Sequence, residues 1–448
     1  MTNTLEDLTH SLLERAKAAG ADAADVLAVR GNSISIDVRN GVLEQAERSE
    51  STDIGLRVFV GQRVANVSSS DVRADSLAIM AERAVAMARE APEDPYVGLA
   101  DSGQLAVNRS SDWLELFDPA PEPSPAALEQ DARDAETAAL AVDGITQVSA
   151  SSAGYGSQEV FLAASNGFSG GYQRTSRSTS CVAIAGTGTG MERDYDGDQR
   201  IFQSDLRSPT EIGRTAADCT LERMNPRKPK TGAYPVLFDE RISSSLIGHL
   251  LSAINGAAIA RRSSWALDLL GKEVLPQGLD LIEDPHRVRV GGSRPFDAEG
   301  LATQKRKIVE NGVLTGWTLD LASARKLGLD STANAARGTT GGSSPSVSNV
   351  SVTQGDKDRA GLIAEMGTGL VVTSMIGSTI NPNTGDYSRG AAGFWVENGE
   401  VAYPVSGVTI AGNLIEMLKK ITPANDARPW LSRVVPSLLV EGLTLAGE

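Results

Sequence analysis

The chain has only three histidines, His10, His249 and His286, so few metal or acid–base sites can be built from it. A zinc ion needs three or four nitrogen, sulfur or carboxylate ligands that converge. No HExxH motif occurs, and no second histidine lies within two helical turns of any of the three. We predict His10 on the surface, His249 as a partly buried, hydrogen-bonded residue of an apolar helix, and His286 in a solvated turn. The residues alone therefore predict no zinc site.

The string GFSGG, residues 167–171, matches the GxSxG motif of serine hydrolases around Ser169. In those enzymes the nucleophile lies on a strained turn between a strand and a helix. Here Asn166-Gly167 is typical of a hairpin turn, and residues 172–185 have the pattern of another strand. We therefore predict a turn at Ser169 and no nucleophile.

Three aspartates alternate in the sequence RDYDGD, at Asp194, Asp196 and Asp198. An EF-hand calcium loop that began at Asp194 would need glycine at its sixth position and glutamate at its twelfth. Those positions hold Gln199 and Asp205, and no flanking helix is predicted. This pattern favours a solvated acidic loop over a calcium site.

The composition excludes several classes of protein. The chain has 42 Lys and Arg against 57 Asp and Glu, a formal net charge of −15, which disfavours direct binding of nucleic acid. Two cysteines are too few for a disulfide scaffold or a cysteine-held iron–sulfur cluster. The start of the chain is acidic where a signal peptide is basic, and the apolar-looking charge-free run of residues 242–260 is too polar to cross a membrane. We expect a cytoplasmic protein without a membrane segment.

Local signals mark the starts of helices and the tips of hairpins. Capping residues predict four helix N-termini, at Thr4 with Asp7, at Ser124-Pro125, at Ser208-Pro209 and at Asp239. Asn40-Gly41 predicts a two-residue hairpin between alternating strands.

These elements predict an α+β fold of antiparallel sheets, with packed helices in the N-terminal portion and a larger strand-rich C-terminal domain. We divide the chain into an N-terminal α+β domain at 1–95, a proline-rich linker at 96–123, a middle α+β domain at 124–230 and the C-terminal domain at 231–448.

The densest group of polar and aromatic residues lies in residues 381–414. Within it, Asp386, Tyr387, Ser388 and Arg389 offer acceptors, hydroxyls and a guanidinium group for a peptide backbone or a carboxylate. A structural hairpin with an Asp–Arg pair explains the same residues equally well, because turns also favour these types. Both interpretations stay open on the residues alone.

The same stretch resembles the signature region of the TldD/PmbA family. Four further segments resemble that family in the right order: residues 55–71, 88–101, 166–176 and 435–448. The resemblance covers nearly the whole chain and is greatest to the PmbA, or TldE, branch. Members of the TldD branch are metallopeptidases with an HExxxH helix, which supplies two zinc histidines and a glutamate, and with a distal cysteine ligand.

In this chain the corresponding helix has Ser244 and Ser245 in place of the first histidine and the glutamate, and only His249 is kept. No cysteine follows Cys219, so the distal thiolate is also missing. The resemblance therefore implies no catalytic residue and no metal on this chain, with zinc expected on a TldD-type partner. It implies that His249 and residues 386–389 bind a peptide substrate.

The resemblance also implies partners. PmbA-type subunits pair with TldD-type subunits to degrade small or unfolded peptides, in a heterodimer or a larger assembly, and a homodimer is expected when the chain is isolated. Two alternatives stay open. One is a metallopeptidase active on its own as a homodimer through ligands such as His286 and Glu283. The other is a non-enzymatic modulator that binds DNA gyrase or an antitoxin.

Overall fold

Residues 4–447 are described by the computed structural model, so residues 1–3 and 448 of the predicted terminal domains lie outside it. The N-terminal half is built on one antiparallel sheet of six strands, in the order β3-β2-β1-β4-β5-β6. The strands are β1 (Ala23–Arg39), β2 (Val42–Val60), β3 (Arg63–Ser69), β4 (Ile145–Ala164), β5 (Ser169–Ala185) and β6 (Glu192–Arg200). Asn40 and Gly41 both have positive φ at the β1–β2 turn, so the predicted hairpin is confirmed.

Four helices pack on this sheet: α1 (Leu5–Ala18), α2 (Ala74–Glu90), α3 (Pro125–Leu140) and α4 (Pro209–Glu222). The predicted capping box of α1 is present, because Thr4 and Asp7 exchange side-chain and backbone hydrogen bonds. Ser124 and Ser208 cap α3 and α4 as predicted. Apolar residues of these helices face alternate residues of β1 such as Val26 and Ile36, because successive side chains of a strand point to opposite faces.

The N-terminal sheet crosses the predicted boundary between the first and middle domains. β1 pairs with β4 from Asp25↔Ala164 to Val38↔Ser151. The two predicted domains therefore contribute three strands each to a single sheet, and their division stays a prediction.

The C-terminal half contains a six-stranded sheet in the order β16-β15-β14-β7-β19-β17, a five-stranded sheet in the order β10-β9-β8-β13-β18, and the pair β11-β12. Its strands are β7 (Gly232–Phe238), β8 (Leu281–Glu283), β9 (Arg306–Glu310), β10 (Val313–Leu314), β11 (Ala335–Ala336), β12 (Ser344–Pro345), β13 (Val350–Val352), β14 (Gly369–Ile380), β15 (Asp386–Glu397), β16 (Glu400–Asn413), β17 (Ile421–Pro423), β18 (Arg433–Val434) and β19 (Leu438–Ala446). Its helices are α5 (Glu240–Ala253), α6 (Gly256–Ala260), α7 (Leu321–Leu327), α8 (Arg359–Met366) and α9 (Leu414–Leu418). The predicted α+β class with a strand-rich C-terminal region is confirmed. No helix within residues 4–447 is both long and apolar enough to cross a membrane.

The prediction of a solvated acidic loop at residues 194–198 is wrong. These residues form β6, and Asp194, Asp196 and Asp198 all point to its buried side, each less than a tenth exposed. Each carboxylate pairs with an arginine: Asp194 with Arg241 at 2.9 Å, Asp196 with Arg207 at 2.8 Å and Asp198 with Arg200 at 3.0 Å. The three aspartates resembled a calcium loop because they occur at every second residue. This is also the period at which the side chains of a strand point to the same face.

A buried cluster of charges joins the N-terminal sheet to the C-terminal half. Asp25 of β1 lies 2.5 Å from Arg57 Nη2 and 2.5 Å from Arg337 Nη1. Arg57 Nη1 lies 3.7 Å from Glu299 Oε1. Because all four side chains are at most 8% exposed, each charge depends on its partners in place of water.

Candidate functional site

His249 lies on α5, the helix that follows β7 directly. Asp239 caps the helix by accepting a hydrogen bond from the Arg241 backbone N–H at 3.2 Å, as the sequence predicts. Ser245 and His249 are one turn apart, so they share a face of the helix. That face turns toward β14 and β15 of the C-terminal sheet, where α5 packs.

Tyr387 lies on β15, between β14 and β16, and is 2% exposed. Its ring meets the ring of His249 edge-on, with centroids 5.9 Å apart and an interplanar angle of 70°. The Tyr387 hydroxyl donates to Met375 Sδ at 3.3 Å. Burial raises the pKa of Tyr387 to about 12, although the nearby Arg389 guanidinium opposes this rise. Tyr387 is therefore a neutral hydrogen-bonding group.

Arg389 supplies the positive charge of this region. Its Nε donates to the Gly377 carbonyl oxygen across the β14–β15 pair at 2.7 Å. Burial lowers the pKa of His249, and the charge of Arg389 lowers it further. The structure thus brings His249, Tyr387 and Arg389 together, with the imidazole held in its neutral form near neutral pH.

Asp386 and Ser388, the other two predicted site residues, have different surroundings. Asp386 is exposed and accepts hydrogen bonds from Thr384 Oγ1 at 2.6 Å and Asn413 Nδ2 at 3.1 Å. These bonds lower the pKa of Asp386. Ser388 is half-buried and pairs through the sheet with Thr379 on β14 and Ala411 on β16. Asp386 therefore stabilises the turn before β15, and the predicted Asp386–Arg389 pair is not among the ion pairs of residues 4–447.

Three buried polar atoms at α5 and β14 have no hydrogen-bond partner within residues 4–447. They are Ser245 Oγ, His249 Nε2 and Thr373 Oγ1. The prediction that His249 is hydrogen-bonded is thus wrong for Nε2. Buried polar atoms without partners are costly, so these atoms are suited to a bound polar group or water. The sequence analysis did not single out Thr373, which lies on β14.

A cavity of about 890 Å³ lies beside the strand that carries these residues. Ile376, Gly390 and Ala391 line it from the C-terminal sheet, and Glu192 and Tyr195 line it from β6. Gly390 directly follows Arg389 on β15, so the two residues face opposite sides of the sheet, and none of His249, Tyr387 and Arg389 lines the cavity.

The remaining histidines have other partners. His286 Nε2 lies 3.1 Å from Thr303 Oγ1, while Glu283 is buried and accepts bonds from Arg306 Nε at 2.8 Å and Asn334 Nδ2 at 2.7 Å. No group of three His, Cys, Asp or Glu side chains within residues 4–447 is placed to hold a metal ion.

His10 contacts Ser169, which the sequence analysis did not anticipate. His10 Nε2 lies 3.2 Å from Ser169 Oγ and 4.0 Å from Glu6 Oε1. Because both contacts involve the same imidazole nitrogen, Glu6 does not orient the ring as the acid of a catalytic triad does. Ser169 begins β5 directly after the β4–β5 hairpin turn, so the predicted turn is confirmed.

Comparison with known protein families gives three matches, in chain order. Residues 24–88 match PmbA/TldA metallopeptidase domain 1, residues 118–223 match the central domain, and residues 231–447 match the C-terminal domain.

Individual relatives are similar to this chain over nearly its whole length. The chain is 39% identical to Metalloprotease PmbA of Escherichia coli O157:H7 over 99% of its own length and 96% of that protein. A crystal structure of a candidate modulator of DNA gyrase from Bacteroides thetaiotaomicron superposes with a TM-score of 0.92 at 29% identity, covering 99% of this chain and 100% of that one. TldE from Thermococcus kodakarensis has the same fold, with a TM-score of 0.84 at 21% identity over 98% and 99% of the two chains.

Proposed function

Because the chain belongs to the PmbA/TldD metallopeptidase family, we propose that it is the peptide-positioning subunit of a two-component zinc peptidase. In this proposal a TldD-type partner holds the zinc ion, and the complex degrades or processes small or unfolded peptides in the cytoplasm. The observation that carries the proposal is the face of α5, where His249 lies near the cation of Arg389 and Ser245 lies one helical turn away.

The residues on α5 do not fit a zinc ion. Zinc sites use histidine nitrogen, thiolate or carboxylate ligands, and Ser244 and Ser245 replace one histidine and the glutamate of the related metallopeptidases with hydroxyl groups. The positive charge of Arg389, close enough to lower the pKa of His249, also repels a divalent cation. The one carboxylate of this helix, Glu240, lies at its first residue and pairs with Arg428, so a water bound beside His249 has no evident general base.

The same residues suit a peptide. In the proposed site Arg389 binds a peptide carbonyl or carboxylate, because a guanidinium offers several donors in a fixed geometry. Neutral His249 and the hydroxyl group of Ser245 hydrogen-bond to uncharged backbone groups. The ring of Tyr387 packs against the ring of His249, and Asp386 stabilises the turn before β15 through its hydrogen bonds.

A reconstitution assay tests the proposal. An unstructured peptide is incubated with zinc and with this chain, a TldD-type subunit or an equimolar mixture of both. We expect cleavage in the mixture at a rate well above that of either subunit. Cleavage by this chain alone would instead favour a homodimeric metallopeptidase and overturn the proposal.

A second candidate function is non-enzymatic binding of DNA gyrase. The observation that favours it is the 29% identity to the candidate gyrase modulator from Bacteroides thetaiotaomicron. Affinity capture with this chain as bait distinguishes the two. Retention of a TldD-type protein supports the peptidase subunit, whereas retention of gyrase without any TldD-type protein supports the modulator.

A further inference from the structure

A second cavity, of about 390 Å³, lies on the face of the N-terminal sheet opposite to its four helices. The helices pack against the even-numbered residues of β1, such as Ile36. Gly31 and Ser33 of the same strand line the cavity and point to the other face, because successive residues of a strand alternate between faces. No residue of α5 or β15 lines this cavity, so it is distinct from the site around His249.

Cross-strand pairing shows which residues form the floor of this cavity. Gly31 of β1 lies opposite Gln158 of β4, and Gln158 lies opposite Arg174 of β5. Residues directly opposite each other in an antiparallel sheet share a face, so these three form one row of the floor. The next row on the same face consists of Ser33, Gly156 and Ser176. The floor therefore offers hydroxyl and amide groups together with one guanidinium group.

Arg174 is the one charged residue that lines the cavity in the described part of the chain. Its guanidinium donates to the carbonyl oxygens of Gly291 and Ser293 and lies 4.9 Å from the centroid of the Tyr172 ring. These two bonds use two of the five N–H groups of an arginine, and both acceptors are uncharged. Arg174 takes part in no ion pair within residues 4–447, so its positive charge is not compensated by a carboxylate.

We propose that this cavity binds a carboxylate group of a peptide, with Arg174 as the cation that recognises it. A guanidinium binds the two oxygens of a carboxylate through parallel N–H bonds, and the contacts with two carbonyl groups and the Tyr172 ring hold its plane in place. The side chains of Gln158 and Ser176 offer donors and acceptors to the uncharged backbone of the peptide. One cation among neutral polar groups suits the single charge of a carboxylate better than the nearly double charge of a phosphate ester.

The charge of the whole chain makes this cavity selective. The net charge of −15 repels an acidic group from most of the surface, so an uncompensated arginine in a cavity supplies a local attraction. The inference rests on the proposed function only in that the ligand is a peptide. It adds a contact on the N-terminal sheet, and the ligand's carboxylate is either its C-terminus or an acidic side chain.

Two variants change the cavity in different ways. Arg174→Gln removes the cation. Gly31→Ile fills the floor and leaves Arg174 in place: a Cβ at Gly31 would have no heavy atom nearer than Ser51 Oγ at 4.0 Å, and a β-branched residue suits a strand. Arg83→Gln, at an exposed residue of α2, is the matched control for the loss of charge. Circular dichroism of each variant confirms that it is folded.

Fluorescence anisotropy of labelled peptides with the isolated chain tests the proposal. Three unstructured peptides share one sequence without acidic residues: the first ends in a free carboxylate, the second in an amide, and the third in an amide with one internal glutamine replaced by glutamate. We expect the wild type and Arg83→Gln to bind the first or the third peptide about tenfold more tightly than the second. The tighter of the two identifies the carboxylate as terminal or as a side chain. Arg174→Gln and Gly31→Ile should each remove this preference.

Several outcomes would overturn the proposal. They are equal binding of the three peptides by the wild type, no measurable binding of any of them, and a preference that persists in either cavity variant. Stronger displacement of the peptide by inorganic phosphate than by acetate would assign the cavity to phosphate instead.

The same assay separates this inference from the proposed function. A preference that is lost in Arg389→Gln and kept in Arg174→Gln would place the carboxylate beside α5, which overturns this inference and leaves the proposed function standing. Because cleavage is not measured here, failure of the reconstitution assay leaves the binding result unaffected.

Discussion

The ring of His249 on α5 lies edge-on to the ring of Tyr387 on β15, 5.9 Å away between centroids. This contact places His249 against a buried aromatic ring and close to Arg389. Burial and the arginine charge both favour the neutral imidazole. Each prediction below tests a consequence of such local arrangements.

The state of His249 predicts how stability depends on pH in the acid range. Its pKa is lowered in the folded chain, whereas an unfolded histidine binds a proton near pH 6.5. As the pH falls below about 6.5, the unfolded state gains a proton that the folded state does not, so the free energy of unfolding decreases. His249→Gln removes this loss. We expect the stability of the wild type relative to the variant to fall between pH 8 and pH 5 in urea titrations. An unchanged difference would contradict the neutral histidine.

The raised pKa of Glu299 predicts that stability decreases as the pH rises toward neutral, which is opposite to the effect of His249. Burial raises its pKa to about 7, against about 4.5 for an unfolded glutamate. Between these values the folded state holds a proton that the unfolded state has lost, so stability decreases as the pH rises from about 4.5 through 7. The loss is on the order of 3 kcal/mol. Glu299→Gln should remove it, and Glu365→Gln, at an exposed residue, is the control. A variant whose pH profile matches the wild type would show that Glu299 is ionised in the fold.

We predict that replacing Arg337 weakens the contact between the two halves of the chain and lowers the free energy of unfolding. Its side chain is 2% exposed and lies 2.5 Å from Asp25. Arg337→Met leaves the buried Asp25 with Arg57 as its remaining cation and should lower the free energy of unfolding by about 3 kcal/mol. Arg73→Met, at an arginine whose side chain is 83% exposed, should cost less than about 0.5 kcal/mol. Guanidinium titrations monitored by circular dichroism measure both, and equal effects would contradict the structural role of the cluster.

We predict that replacing Arg389 changes KM and not kcat in the two-subunit complex. If it binds the peptide and the partner performs the chemistry, Arg389→Gln should raise KM roughly tenfold and leave kcat nearly unchanged. Lys357→Gln, which removes a charge from an exposed pair with Glu365, is the control and should change neither constant. A loss of kcat with constant KM would place Arg389 in the chemical step instead.

Local features of the fold could be predicted from the sequence. The caps at Thr4 and Ser124 and the turn at Asn40-Gly41 depend on residues only a few positions apart, and all three are confirmed. The pairing of β1 with β4 was not predicted, because nothing local indicates which distant strand lies alongside. The error at Asp194–Asp198 has a related cause. Arg241 and Arg207, which pair with Asp194 and Asp196, lie outside β6, so the sequence alone made the segment look solvated.

The candidate site was predictable only in part. The residue types on β15 and the Ser245–His249 spacing on α5 indicated which residues to consider. Their arrangement depends on the parallel pairing of β7 with β14, which places α5 over the sheet and brings His249 to Tyr387. Within residues 4–447 Thr373 Oγ1 has no hydrogen-bond partner, and Asp386 accepts a hydrogen bond from Asn413.

The zinc content of the purified chain tests the central claim most directly. The chain and its His249→Ala variant are loaded with zinc, freed of excess by gel filtration and measured by plasma mass spectrometry. We predict far less than one zinc per chain in both proteins, because α5 offers a single histidine, His249, and no cysteine. One zinc per wild-type chain that is lost in His249→Ala would contradict the account and identify this subunit as a metal-binding peptidase.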